Sequence, residues 1–125
     1  MVEAARPNGI PEEQWAIQVQ QNGTWTVEKI KVPRPGPGQV LVKIECAPIN
    51  PSDTYFMAGM YSLYDDSLPG DEPKMKFPFA PGWEGAGVVV ENGGGFFGWT
   101  LVGKRVSVTK CQEPNGIFSI GGCYQ

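Results

Sequence analysis

Histidine is absent from the 125-residue chain, which removes one of the usual ligands of a zinc ion. Cysteine is scarce: Cys46, Cys111 and Cys123 are three residues without close spacing. An odd count of this kind suggests neither a disulfide framework nor a C-x-x-C metal or redox pair. A reducing compartment is therefore expected, the cytoplasm first and the mitochondrion second. No apolar run approaches the ~20 residues that cross a bilayer, so no membrane partner is expected. Met1 to Gln14 lacks the apolar centre of an export signal and carries Glu3 with a single arginine, which speaks against a transit peptide. The Asn22-Gly23-Thr24 sequon would matter only on a secretory route. Positive charge is in short supply too, with 10 Lys and Arg against 13 Asp and Glu. The densest basic cluster, Lys29, Lys31 and Arg34, has no interleaved aromatics and reads as a solvated strand face, so nucleic acid is not an expected partner.

What the chain has in excess is glycine (17) and proline (12). Together with short Val/Ile/Leu runs these indicate turn-rich β structure rather than a helical bundle. Its aromatics and small net charge place it with folded domains, and its length suits one domain with one modest core.

Met1 to Gln14 reads as a flexible leader. Trp15 to Gln20 alternates Trp15, Ile17 and Val19 against Ala16, Gln18 and Gln20, the pattern of a strand buried on the Trp15 face. Asn22-Gly23 predicts a two-residue hairpin turn into a second strand, Trp25 to Val32. Pro33 to Gly38 is a loop, because its three prolines remove backbone donors. Val40 to Ile49 is the longest β-branched run. Asn50-Pro51-Ser52-Asp53 then carries a helix start, Asn at N-cap, Pro at N1 and Asp at N3, for a short helix reaching Met57. Ser62 to Phe79 is an irregular acidic stretch; Gly85 to Glu91 and Arg105 to Thr109 are further strands. The sum is a partly open β-barrel without internal repeats.

Gly93-Gly94-Gly95-Phe96-Phe97-Gly98 fits the G-x-G-x-x-G dinucleotide fingerprint. That motif needs a helix whose N-terminus holds a pyrophosphate, and no amphipathic helix fits before Pro114. A glycine turn between strands is expected instead.

Four blocks, taken in order, resemble a known family. They are Pro35-Gly36-Pro37-Gly38-Gln39-Val40-Leu41-Val42-Lys43-Ile44, Ile49-Asn50-Pro51-Ser52-Asp53-Thr54-Tyr55, Phe79-Ala80-Pro81-Gly82-Trp83-Glu84-Gly85-Ala86-Gly87-Val88-Val89-Val90, and Gly103-Lys104-Arg105-Val106. The chain is similar to the GroES-like N-terminal domain of medium-chain dehydrogenases/reductases, on the zinc-independent quinone oxidoreductase branch. The likeness covers nearly all of residues 15–125. It implies a mainly β, partly open barrel with one or two short helices, forming the substrate side of an enzyme. The Rossmann domain that would bind NADPH is absent from this chain, which looks like a fragment, inactive on its own.

Zinc-dependent relatives place Cys at the position of Asn50 and His at that of Trp83, and an indole is no zinc ligand. No metal site is therefore expected. The resemblance implies that Asn50 and Tyr55 line the cleft. Asn50 would hold the nicotinamide ribose or a substrate oxygen, and Tyr55 would hydrogen-bond a developing enolate and deliver a proton. Tyr61 and Tyr64 would touch substrate. Each has a plainer reading as well: Asn50 as N-cap, Tyr55 as a surface or core aromatic. Asp53 is expected to cap the helix, and Glu84 to pair with Lys104 or Arg105.

The implied function is NADPH-dependent reduction of quinones or α,β-unsaturated carbonyls by hydride transfer, with a homodimer open for the full-length protein. Two alternatives stand beside it. An enoyl thioester reductase domain would want a basic patch for a coenzyme phosphate, which is not visible. A non-enzymatic GroES-like binding or co-chaperonin module would want a mobile hydrophobic loop.

Overall fold

A computed structural model of the chain describes residues 8–20, 22–58 and 77–109. Strands β1 (Glu13–Val19) and β2 (Trp25–Lys31) form an antiparallel pair, with Glu13 opposite Lys31 and Val19 opposite Trp25. β1 begins two residues ahead of Trp15, and Ile10, inside the expected leader, is buried. The hairpin loop is longer than the Asn-Gly dipeptide suggests. Gln20 N–H donates to the Thr24 carbonyl (2.8 Å) and Gly23 N–H to the Gln20 carbonyl (2.9 Å). The closing pair is thus Gln20 and Thr24, outside Asn22 and Gly23. Gly23, at φ 80°, takes the left-handed position that ends a loop of this class. Asn22 Oδ1 ties the turn by accepting from the Thr24 N–H and hydroxyl at 3.1 and 2.6 Å.

The faces of β1 are the reverse of the expectation. Ala16 and Gln18 are buried, Ile17 is half-buried, and Trp15 stands 62% exposed. Trp15 lies opposite Lys29 and carries its ammonium 5.7 Å from the ring centroid, a cation–π contact that persists in solvent. Val19, on the same face, is fully buried because Phe79 adds to the free edge of β1 there, with N–H to O distances of 2.9 and 3.2 Å. Val19 and Phe79 form a small core, packed by Met57, Phe77 and Trp83.

The second sheet is antiparallel, in the order β3-β4-β5, from β3 (Val40–Cys46), β4 (Glu84–Asn92) and β5 (Arg105–Thr109). Its register shifts between Leu41 and Val42 and again between Ile44 and Cys46. Such bulges bend and twist a strand. At Gly87 the strands approach so closely that a Cβ would overlap the Lys43 carbonyl oxygen and lie 2.9 Å from Ile44 Cα. The two sheets are open among the described residues, which agrees with the expected mainly β domain.

Among the described residues two helices accompany the sheets, α1 (Pro51–Met57) and α2 (Phe96–Leu101). The second corrects the expectation that no helix follows the glycine run. Its six residues carry no buried side chain, so no apolar periodicity announces it. It is held by its ends, Trp99 N–H on the Gly95 carbonyl and Lys104 N–H on that of Leu101. The basic cluster is solvated as expected: Lys31 is exposed, and Arg34 reaches Glu91 at 3.4 Å and Glu12 at 3.9 Å.

Candidate active site

The candidate site is assembled where the N-terminus of α1 meets the start of β4. Pro51 fixes the first helical turn, and Asp53 N–H donates to the Asn50 main-chain carbonyl at 3.0 Å. The Asp53 side chain is 1% exposed. Its Oδ2 accepts from Asn50 N–H at 2.7 Å, the reciprocal half of a capping box. Its Oδ1 accepts from Trp83 N–H at 3.2 Å. Asp53 thus caps α1, as the sequence suggests, and also fastens the helix to the segment leading into β4.

That tether sets the next contact. Asn50 Nδ2 donates to Glu84 Oε1 at 2.9 Å, from a half-buried amide to an exposed carboxylate. Two sequence expectations are corrected here. The Asn50 side chain does not cap α1, because the backbone and Asp53 satisfy that turn and the amide reaches across to Glu84. Glu84 pairs with neither Lys104 nor Arg105. Antiparallel register sets Glu84 opposite Thr109, whereas Arg105 lies opposite Val88 and bonds Glu45 at 2.9 Å.

Tyr55 is 52% exposed. It lies two residues from Asp53 and from Met57, about 200° around the helix from each, on the face away from the core. Among the described residues no hydrogen bond joins Tyr55 to Asn50; Asn50 is joined to Glu84. Tyr61 and Tyr64 lie outside the described residues. Glu84 is the partner that sequence reasoning missed, since only the register of β4 reveals it. No group of three or more His, Cys, Asp or Glu that could hold a metal gathers among the described residues, and no helix among them is long and apolar enough to cross a membrane.

Comparison with known proteins identifies the domain that carries these residues. The family described as alcohol dehydrogenase GroES-like domain matches residues 36–125. Alcohol dehydrogenase 1 of Emericella nidulans is 35% identical over 85 residues, which is 67% of this chain and 21% of that protein. A 2-haloacrylate reductase of Burkholderia sp is 39% identical over 98 residues, 78% of this chain and 26% of that protein. Among solved structures, a Mesorhizobium loti protein assigned as an NADPH:quinone reductase superposes with a TM-score of 0.67 at 30% identity, covering 92% of this chain and 33% of that one. The chain thus spans about a quarter of the length of the curated relatives it matches.

Proposed function

This chain belongs to the alcohol dehydrogenase GroES-like domain family of the medium-chain dehydrogenases/reductases, and on that footing we propose that it forms the substrate side of a zinc-free, NADPH-dependent reductase of quinones or activated enones. The observation that carries the reading is residue 50. In a chain without histidine, with Trp83 beside Glu84, the position holds an amide hydrogen-bonded to a carboxylate. Likeness to a 2-haloacrylate reductase and to an NADPH:quinone reductase fold supports the reductase side of the family.

The donor and acceptor set fits a hydroxylated cofactor. Asn50 Oδ1 and the Glu84 carboxylate are acceptors suited to the sugar hydroxyls of a nicotinamide nucleotide, and Tyr55, on the same helix as the Asn50 cap position, carries an exposed phenol. When bound, the dihydronicotinamide supplies the hydride, its dinucleotide held mainly by a domain outside this chain. Asn50 and Glu84 orient the sugar. Tyr55 donates its hydroxyl proton toward the carbonyl oxygen on which negative charge develops.

The test uses the protein as encoded, with any sequence following Gln125. It is expected to consume NADPH with a benzoquinone or an enone as acceptor, at a rate that a zinc chelator does not change. Absence of turnover with both acceptors, or its loss on chelation, would overturn the reading.

A further inference from the structure

The N-cap residue of α1 departs from its ordinary role, and the departure has a direction. An Asn at N-cap normally turns its side-chain carbonyl onto the second or third helical N–H. Here the third, that of Asp53, is taken by the Asn50 main-chain carbonyl at 3.0 Å. The main-chain N–H of Asn50 is in turn held by Asp53 Oδ2 at 2.7 Å. The side chain, released from capping, spends an N–H on Glu84 Oε1 at 2.9 Å.

A carboxylate can only accept. An amide facing one must therefore present its NH2 and cannot present its carbonyl. Glu84 thereby fixes which end of the Asn50 amide is which. The geometry points to Glu84 as a specificity-determining residue: by holding one N–H of the Asn50 amide, it fixes Oδ1 as an acceptor and biases this corner of the site toward ligand hydroxyls, since one remaining amide N–H stands against two acceptor oxygens, Oδ1 and the second carboxylate oxygen. A second acceptor, the other Glu84 oxygen, lies on the same exposed carboxylate. Two adjacent acceptors suit a pair of neighbouring hydroxyls, as on a ribose. Asp53 serves as the positioning residue. Its two oxygens hold the main-chain N–H of Asn50 and that of Trp83, the residue before Glu84, so the two members of the pair are anchored to one buried carboxylate.

The identity of the ligand as the nicotinamide ribose rests on the proposed function; the amide orientation does not. The first arm of the test therefore reads the orientation alone. In the chain labelled with 15N at asparagine, the Asn50 side-chain amide is assigned by its loss in Asn50→Ala. A proton bonded to a carboxylate resonates downfield, and Glu84→Ala is expected to move it upfield while the other asparagine amides stay in place. An unchanged Asn50 resonance overturns the inference whatever the enzyme does. The second arm uses the protein as encoded. Glu84→Gln puts an amide NH2 where only acceptors stood, so the Asn50 amide can turn round. KM for NADPH is expected to rise about tenfold, an effect the size of one lost polar contact, with a smaller change in kcat. An NADPH analogue lacking the nicotinamide-ribose hydroxyls should bind the wild type less well and show no further loss in Glu84→Gln. Unchanged KM in Glu84→Gln, with wild-type turnover intact, overturns the assignment of the ligand. Wild-type protein that never oxidises NADPH overturns the proposed function instead, and the resonance arm then decides the orientation.

Discussion

Replacing Asp53 by alanine isolates the tether on which the candidate site stands. The carboxylate is 1% exposed and accepts from two main-chain donors in different segments, Asn50 N–H at 2.7 Å and Trp83 N–H at 3.2 Å. Leaving a buried donor without a partner costs about 1–3 kcal/mol, and the acidic charge near the first turn of α1 adds about 0.3–1 kcal/mol through the helix dipole. The shorter bond belongs to the helix end, where water can take over part of its role, so a net loss of about 3 kcal/mol is expected. In a chain of this size that corresponds to a fall of roughly 12 °C in the unfolding midpoint. It is a large share of the ~5–15 kcal/mol by which domains are stable. Asp53→Asn keeps one acceptor oxygen but turns an NH2 toward the other donor, and it should recover about half of the loss. Thermal unfolding followed by circular dichroism, with urea midpoints as a check, reads all three proteins. A loss below about 0.5 kcal/mol in Asp53→Ala, the range of an ordinary surface change, would refute the claim that this carboxylate joins α1 to β4.

Two glycine substitutions should separate steric from conformational demand. Gly87→Ala drives a methyl into the Lys43 carbonyl across the β3–β4 contact, and a loss of about 3 kcal/mol or more is expected by denaturant titration, because backbone cannot give way as a side chain does. Gly23→Ala meets no atom within 4 Å and carries only the left-handed backbone penalty, about 1 kcal/mol; a larger fall in midpoint would mean the hairpin loop is packed. Tyr55→Phe in the protein as encoded should lower kcat for enone reduction about 100-fold while leaving the unfolding midpoint unchanged, since the side chain is 52% exposed. Equal kcat would remove Tyr55 from the chemistry.

Local chemistry made part of this fold legible in the sequence. The helix at Pro51–Met57 was readable because Asn, Pro and Asp occupy positions where each has its own reason to be. The strand at Arg105–Thr109 and the start of that at Val40 were readable from β-branched alternation, although the second ends at Cys46 and not at the expected Ile49. What escaped depends on contacts between segments. Period-2 alternation shows that β1 has two faces but not which one is covered. The larger apolar side chain, Trp15, lies outward, with the ammonium of the lysine opposite over its ring. The partner of Glu84 could not be read from Arg105 and Lys104 being nearby in sequence, because an antiparallel register carries Arg105 to the far end of the shared ladder. Asn50 was readable as the residue of interest, yet its orientation needed Glu84, a residue 34 positions away.

The glycine run shows how the same residues change meaning once the ladder is known. A dinucleotide fingerprint requires a strand, a helix and a return to a parallel strand. Here β4 and β5 are antiparallel, with only α2 between them. The glycines have sufficient reasons of their own within this turn. A Cβ at Gly93 would strike the carbonyls of Pro35 and Gly36, and one at Gly98 would strike the Asn92 side chain. Asn92 in turn fastens the loop, donating to the Gly95 carbonyl at 3.1 Å and accepting from Gly94 N–H at 3.1 Å. A pyrophosphate would need those backbone donors free and aimed at one point, whereas this loop turns at least one of them on its own asparagine. Gly93 thus serves the packing of the Pro35–Gly36 loop against the end of β4, Gly98 makes room for the Asn92 side chain, and Gly94 and Gly95 take positive φ in the turn. That is the physical reason why the run at 93–98 does not serve as a dinucleotide loop, despite its match to the pattern.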